Sequence, residues 1–216
     1  MTIADRVAAM HDRAASEMPA EILETFSSEQ RRMGEEGIPS GAAGVGDVIA
    51  DVELIDVHGK SVTLRAAQSN STAVVVLYRG DWCPYCNLAL RAYQEDLVPA
   101  LRGRAVTLIA ISPQKPDQSL SVTEKNELSF VVLSDPGNQI ATALGVLTSH
   151  SESVKEIQGS VGIDVAATNH DGTHTVPIPT VAIIDADGVI QWIDIHPDYA
   201  TRTEVSEIVN ALDNLR

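Results

Sequence analysis

Cysteine is nearly absent from this chain of 216 residues: there are two, at positions 83 and 86. A secreted disulfide scaffold ties distant segments together with several cysteines, and one close pair cannot do that. Basic residues are scarce as well. Lys and Arg number 15 against 30 Asp and Glu, giving a net charge of −15 and an isoelectric point near 4.6. A surface of that sign repels nucleic acid and anionic membrane, so neither is expected as a partner. No apolar run approaches the length needed to span a bilayer. The start, Met1-Thr-Ile-Ala-Asp-Arg6, lacks the apolar segment of a secretory signal, and the cytoplasm is the expected compartment. Gly41, Gly44 and Gly46 do not make a G-x-G-x-x-G and follow no strand, which leaves a linker and not a nucleotide loop. No internal repeat is present.

What the chain does have is Ala73-Val-Val-Val-Leu-Tyr-Arg-Gly-Asp-Trp-Cys-Pro-Tyr-Cys-Asn87. The β-branched run ending at Tyr78 predicts a strand buried on both faces. After Cys86, the spacing of Leu88, Leu90, Tyr93 and Leu97 predicts a helix ending near Gly103. Pro84 suits the first helical position, which puts Cys83 at the N-cap. There the unpaired N–H groups and the positive end of the helix dipole favour thiolate over thiol, and a cysteine so placed can titrate at roughly 3.5 to 7.5. Cys83 is therefore the expected nucleophile. Cys86, a turn later and more buried, is expected to keep its proton, close enough for the pair to cycle between dithiol and disulfide. Zinc is a rival for two cysteines, with His170 and His174 at H-x₃-H spacing. Those histidines flank a turn-like Asn-His-Asp-Gly far downstream, so no metal is expected.

Residues 1 to 36 predict two amphipathic helices broken near Pro19. Their apolar stripe either packs on the domain that follows or makes a homodimer contact. A hairpin is expected around His58-Gly59, and a second buried strand at Ala105–Ile111 closes a right-handed β-α-β unit. Ser121 with Glu124 is expected to cap a short helix before a strand at Phe130–Leu133. Residues 146 to 176 read as an inserted, partly helical excursion. A hairpin then turns at Ala186-Asp-Gly188, and Thr201 with Glu204 is expected to open the closing helix. The fold class is α/β: a central mixed sheet flanked by helices, with residues 1–45 a helical extension and linker and 46–216 the domain.

A C-x-x-C at the tip of the first β-α of such a unit resembles the thioredoxin fold. Ile178-Pro179-Thr180 resembles that fold's second landmark, a proline in cis lying against the cysteines. More specifically, Tyr78-Arg-Gly-Asp-Trp-Cys-Pro-Tyr-Cys-Asn87, Ile111-Ser-Pro-Gln114, Leu133-Ser-Asp-Pro-Gly137, Pro177–Asp185 and Asp198-Tyr199 are similar to the peroxiredoxin-like branch of the alkyl hydroperoxide reductase/thiol-specific antioxidant family. The resemblance implies that Cys83 attacks a peroxide and becomes a sulfenic acid. Cys86 would then condense with it to an intramolecular disulfide, and thioredoxin or a similar dithiol donor would reduce the pair, without metal or flavin. Arg79 is expected to supply the cation that holds the thiolate and polarises the peroxide, with the Thr180 hydroxyl or backbone beside Pro179 as a substitute positioner, and Trp82 resembles the thioredoxin tryptophan that covers the site and meets the partner. Where typical members carry a proline and a peroxide-aligning threonine or serine before the attacking cysteine, this chain has Val76 and Gly80. The same Cys-Pro-Tyr-Cys occurs in glutaredoxins, so a thiol–disulfide oxidoreductase acting on protein disulfides is the alternative activity.

Overall fold

The computed structural model describes residues 1–215. Two helices come first, α1 (Ile3–Glu17) and α2 (Ala20–Glu36), with Pro19 between them as the sequence predicts. Thr2 opens α1 with a capping box to Asp5. The hairpin follows as β1 (Glu53–Asp56) and β2 (Ser61–Thr63), then α3 (Leu64–Gln68) and β3 (Thr72–Leu77). Next, α4 (Pro84–Ala92) runs through a π-turn at Tyr93–Leu97 into α5 (Val98–Ala100), and the chain returns in β4 (Val106–Ser112). Beyond lie α6 (Pro116–Lys125), β5 (Val131–Ser134) and α7 (Gln139–Ala143). The excursion holds β6 (Leu147–Thr148), α8 (Glu152–Ser160), α9 (Val165–Thr168) and β7 (Val176–Pro177). The closing hairpin is β8 (Thr180–Ile184) and β9 (Ile190–Ile195), and α10 (Val205–Asn214) ends the fold.

The main sheet has seven strands in the order β2-β1-β5-β4-β3-β8-β9. β3, β4 and β5 are parallel, and the outer pairings are antiparallel, as expected of a mixed sheet. Strand β3 lies near its centre. Val74 and Val76 face one apolar core together with α4 and α10, while Ala73, Val75 and Leu77 face a second core with α3 and α7. Each fully buried valine is worth about 1.5–3 kcal/mol, so the strand cannot slip by a residue without exchanging its two cores. This rigid strand aims the cysteine turn.

Three local expectations are corrected. Helix α6 begins at Pro116 and not at Ser121, because proline at the first helical position has its φ preset and no N–H to satisfy. Ser121 lies inside the helix. The capping box of α10 joins Glu204 to Glu207 and not Thr201 to Glu204. Thr201 instead donates to the Asp198 carbonyl, closing a turn before the helix. No described peptide bond is cis, so the bond before Pro179 is trans. The chain there passes from β7 to β8 with Ile178 N–H bonded to Val146 O, and with no tight turn to impose cis, trans is the lower state by about 0.5–1 kcal/mol.

The N-terminal helices are tied to the body at both ends. The Glu204 carboxylate accepts from the N–H groups of Ile3 at 2.9 Å and Ala4 at 2.8 Å, an anion placed on the positive end of α1. On α2, buried Glu29 accepts from Ser151 N–H at 2.9 Å at the start of α8. The apolar stripe of α1 buries only Ile3 and Val7. Its remainder walls a cavity.

Candidate active site

Cys83 is the N-cap of α4 with Pro84 beside it at the helix start, as predicted. The turn before it is held by a pair of amide bonds: Gln114 accepts from Asp81 N–H and donates to its carboxylate, both at 2.7 Å. Asn87 reaches back to the carbonyls of Asp81 at 2.7 Å and Cys83 at 3.1 Å. Gly80 has φ +154°, and a Cβ there would lie 2.4 Å from Trp82 Nε1. The position that carries a hydroxyl side chain in typical relatives is thus filled here by the indole, and only glycine fits.

Both sulfurs are buried, each residue about 1% exposed, and both are free thiols. They face different spaces. Cys86 borders a crevice of only about 10 Å³ with Pro179, Thr180 and Arg202, and Cys83 opens onto a cavity of about 630 Å³ with Arg79, Trp82, His150 and Tyr199. The predicted site residues are therefore divided, Pro179 and Thr180 lying with Cys86, and Arg79 and Trp82 with Cys83. The Thr180 hydroxyl donates to Ile178 O at 2.9 Å, so its proton is committed to the backbone.

The electrostatics invert the expected order of the two thiols. Burial pushes Cys83 up, and its hydrogen bond with Cys86 pushes it further. Burial would raise Cys86 too, yet the proton offered by Cys83 and the guanidinium groups of Arg202 and Arg79 outweigh it and hold Cys86 well below the usual thiol range. The reason is geometric. The Cys83 side chain makes no capping bond to the helix amides, so it gains little from them. Cys86 Sγ receives Arg79 N–H at 3.4 Å and Arg202 Nη2 at 3.3 Å, whereas Cys83 Sγ lies 3.8 Å from the same nitrogen. The two thiols titrate as one pair, and these closer contacts favour the anion at Cys86.

Arg202 was not singled out from the sequence. It precedes α10, where a cationic residue is an ordinary surface feature, and only the fold carries it across 119 residues to Cys83. Its guanidinium is fixed by donation to the carbonyls of Tyr199 and Thr201. Arg79 is 2% exposed and lies 4.1 Å from the Tyr199 ring centroid and 5.1 Å from that of Trp82, a cation held between two aromatic faces. Its Nη2 meets His150 Nδ1 at 3.4 Å. Burial pushes His150 down to about 3, with Arg79 adding to it, so this imidazole is neutral near pH 7. Among the described residues no carboxylate pairs with Arg79 or Arg202. Two cations thus face the dithiol. His170 and His174, considered as zinc ligands, are exposed on the loop after α9.

A thioredoxin-like sheet that delivers a Cys-x-x-Cys at a strand-to-helix junction under two guanidiniums defines a thiol-based oxidoreductase. The AhpC/TSA family model matches residues 45–193, and the chain belongs to that family, a class of thiol-dependent peroxidases. Among curated relatives it is 26% identical to peroxiredoxin Bcp of Escherichia coli over 167 residues, 77% of this chain and 94% of that one. It is 24% identical to chloroplastic peroxiredoxin Q of Triticum aestivum over 197 residues, 91% and 79% of the two chains. Peroxidoxin BcpB of Mycobacterium tuberculosis superposes with a TM-score of 0.60 at 19% identity, covering 80% of this chain and 98% of that one. A peroxiredoxin-like protein of Aquifex aeolicus gives 0.62 at 16%, covering 81% and 89%. These structures share the fold.

Proposed function

We propose that the protein reduces hydroperoxides through Cys83 and Cys86. The observation that carries this reading is the cysteine pair under two guanidiniums that have no carboxylate partner among the described residues. The proton passes from Cys83 to Cys86 along their hydrogen bond, leaving a thiolate at the sulfur that faces the large cavity. That thiolate attacks one peroxide oxygen: an S–O bond forms, the O–O bond breaks, and Arg79 stabilises the departing alkoxide or hydroxide until it is protonated. Cys86, its own proton given up to the leaving group, then attacks the Cys83 sulfenic acid, closing the disulfide and expelling hydroxide, which takes a proton from solvent and leaves as water. The sum is one hydroperoxide, one singly deprotonated dithiol and one solvent proton giving an alcohol, or water from hydrogen peroxide, together with water and a disulfide. A dithiol reductant such as thioredoxin restores the pair, and Trp82, beside the disulfide, is the surface it meets. No metal or flavin takes part.

We read the acidic chain, with its net charge of −15, as working in the cytoplasm without nucleic acid or membrane partners; no described helix is long and apolar enough to cross a membrane. Residues 1–45 form the extension and linker and 46–216 the domain, and any homodimer is made through surface that α1 and α2 leave free. Stopped-flow mixing of the reduced protein with hydrogen peroxide and an organic hydroperoxide tests the activity, with insulin reduction as the comparison. A second-order peroxide reaction that depends on Cys83 is expected. Faster insulin reduction with negligible peroxide consumption would establish the thiol–disulfide oxidoreductase instead.

A further inference from the structure

We infer that His150 is a positioning residue: by accepting a hydrogen bond at Nδ1 from Arg79 Nη2, it aims the guanidinium at the leaving oxygen of the peroxide without neutralising it. The inference rests on the peroxidase reading and adds to it the residue through which the excursion between β6 and β7 acts on the reaction. Arg79 is 2% exposed, and its guanidinium lies over the Tyr199 ring at 4.1 Å and the Trp82 ring at 5.1 Å. Ring faces attract a cation without fixing which way its N–H groups point. Among the described residues, the contact with His150 Nδ1 at 3.4 Å is the guanidinium's one hydrogen bond, and Nε has no partner. The direction of a long, rotamer-rich side chain therefore depends on a single imidazole.

A carboxylate in that place would hold Arg79 firmly but cancel the charge that the leaving oxygen needs. A neutral acceptor orients the cation and leaves its field intact. His150 is such an acceptor: it is 7% exposed, in edge-to-face contact with Trp82 and Tyr199. Burial, with the charges of Arg79 and Lys155, disfavours its protonation and prevails over Glu29 and the bond with Gln158. Nδ1 has a second neighbour in that Gln158 amide on α8, whose Oε1 lies at 3.2 Å. The ring nitrogen carries either a lone pair, which serves Arg79, or a proton, which serves the Gln158 carbonyl. Arginine is always a donor, and a bond to a charged donor is about twice as strong as a neutral one. The lone pair therefore faces Arg79, the ring proton sits on Nε2, and Gln158 turns its NH₂ group toward the ring. The segment is pinned from a second side, where the buried Glu29 carboxylate on α2 accepts from Ser151 N–H at 2.9 Å.

Nitrogen-15 NMR of the histidine-labelled wild type reads the ring directly, because an unprotonated ring nitrogen resonates far downfield of a protonated one. An unprotonated Nδ1 at neutral pH is expected for His150, and a proton on Nδ1 overturns the inference with no variant required. Two variants then separate aim from packing. His150→Phe keeps a ring beside Trp82 and Tyr199 but has no acceptor, and His150→Asn gives up the ring but places an amide oxygen near the Nδ1 position. The second-order rate constant with hydrogen peroxide should fall roughly 10- to 100-fold in His150→Phe, the loss that follows a misplaced reacting group, and recover most of that in His150→Asn. Thiolate absorbance against pH should hardly move in either, since Cys86 takes its bonds from Arg202 and the Arg79 backbone N–H. An unchanged rate in folded His150→Phe, an equal loss in His150→Asn, or a titration shifted as much as the rate overturns the inference. If the wild type consumes no peroxide, the peroxidase reading fails and the catalytic use of His150 with it, whereas the ring-nitrogen measurement still decides the hydrogen bond.

Discussion

Replacing Arg202 with methionine removes the guanidinium 3.3 Å from Cys86 Sγ but keeps much of the side-chain volume. A hydrogen bond to a charged group is worth about 1.5–3 kcal/mol, and each 1.36 kcal/mol is a factor of ten in a protonation equilibrium. The thiolate population below the titration midpoint should therefore fall roughly 10- to 150-fold. The sign follows from the stabilised form: Arg202 favours the anion, so its removal moves the titration of the pair to higher pH. Thiolate absorbance in the ultraviolet, followed from acid to alkaline pH, measures the shift, and the pH dependence of the peroxide rate should move with it. Arg202→Lys is the control for packing. It keeps a cation but loses the two carbonyl anchors, so it should fall between the wild type and Arg202→Met. A titration curve unchanged in Arg202→Met would mean that Arg79 and its backbone N–H hold the anion alone, and the argument for Arg202 would be wrong.

Cys83→Ser should abolish peroxide turnover, and Cys86→Ser should permit one reaction and trap a sulfenic acid or mixed disulfide at Cys83, detectable by mass spectrometry; trapping at Cys86 in the converse variant would reverse the assignment. Gly80→Thr restores the hydroxyl usual in the family, yet its Cβ meets Trp82 and its φ of +154° is unsuited to a β-branched residue. A loss of about 1–3 kcal/mol is expected, which for a chain of this size lowers the melting temperature by several degrees. Tyr85→Phe removes the hydroxyl that meets His11 and Gln30, and amide hydrogen exchange in α1 and α2 should rise while that of β3 stays unchanged. His150 titrates near 3 when folded and near 6.5 when unfolded. The unfolded chain thus binds a proton that the native one refuses, and stability present above pH 6.5 is lost as pH falls from about 6.5 toward 3. Urea midpoints should decline over that window less steeply in His150→Gln than in the wild type.

How far the sequence could be read depended on whether the determining contacts were local. The apolar runs behind β3, β4, β5 and β8, and the Pro84 signal at the start of α4, lie within single elements, where periodicity and sterics decide. Pairing a central strand with a helix that starts in Cys-x-x-Cys followed from adjacency alone. Arg202 carries no local sign of its use, since three residues before a helix start nothing distinguishes a thiolate-binding arginine from a solvated one. Tyr199 did stand in a family-like pair, Asp198-Tyr199, only three positions away. Its meaning emerges once its ring is seen over Arg79. His150 lay in a stretch with little pattern, and a neutral buried imidazole has no sequence signature. The cis expectation for Pro179 failed because the fold analogy supplied it, while the local chain, extended between β7 and β8, made no demand for it.

The inversion of the two thiols bears on how the site reacts. A thiolate at Cys83, open to the large cavity, would also be open to any oxidant or disulfide that entered. Arg202 lies nearer Cys86, at 3.3 Å against 3.8 Å for Cys83, and so favours the anion there, where access is only to a crevice of about 10 Å³. Reaction then requires a proton to cross a single S–H···S contact, a step favoured when a second negative charge begins to form beside Arg79. A hydroperoxide brings that charge in its leaving oxygen, which is small enough to sit against the buried Arg79 guanidinium. On the proposed mechanism, activation of the nucleophile is coupled to occupation of the Arg79 end of the cavity. Arg79→Met, which leaves the Cys86 contacts with Arg202 in place, should slow the peroxide reaction far more than it shifts the thiolate titration. Equal losses in the two measurements would show that Arg79 acts only on the resting anion.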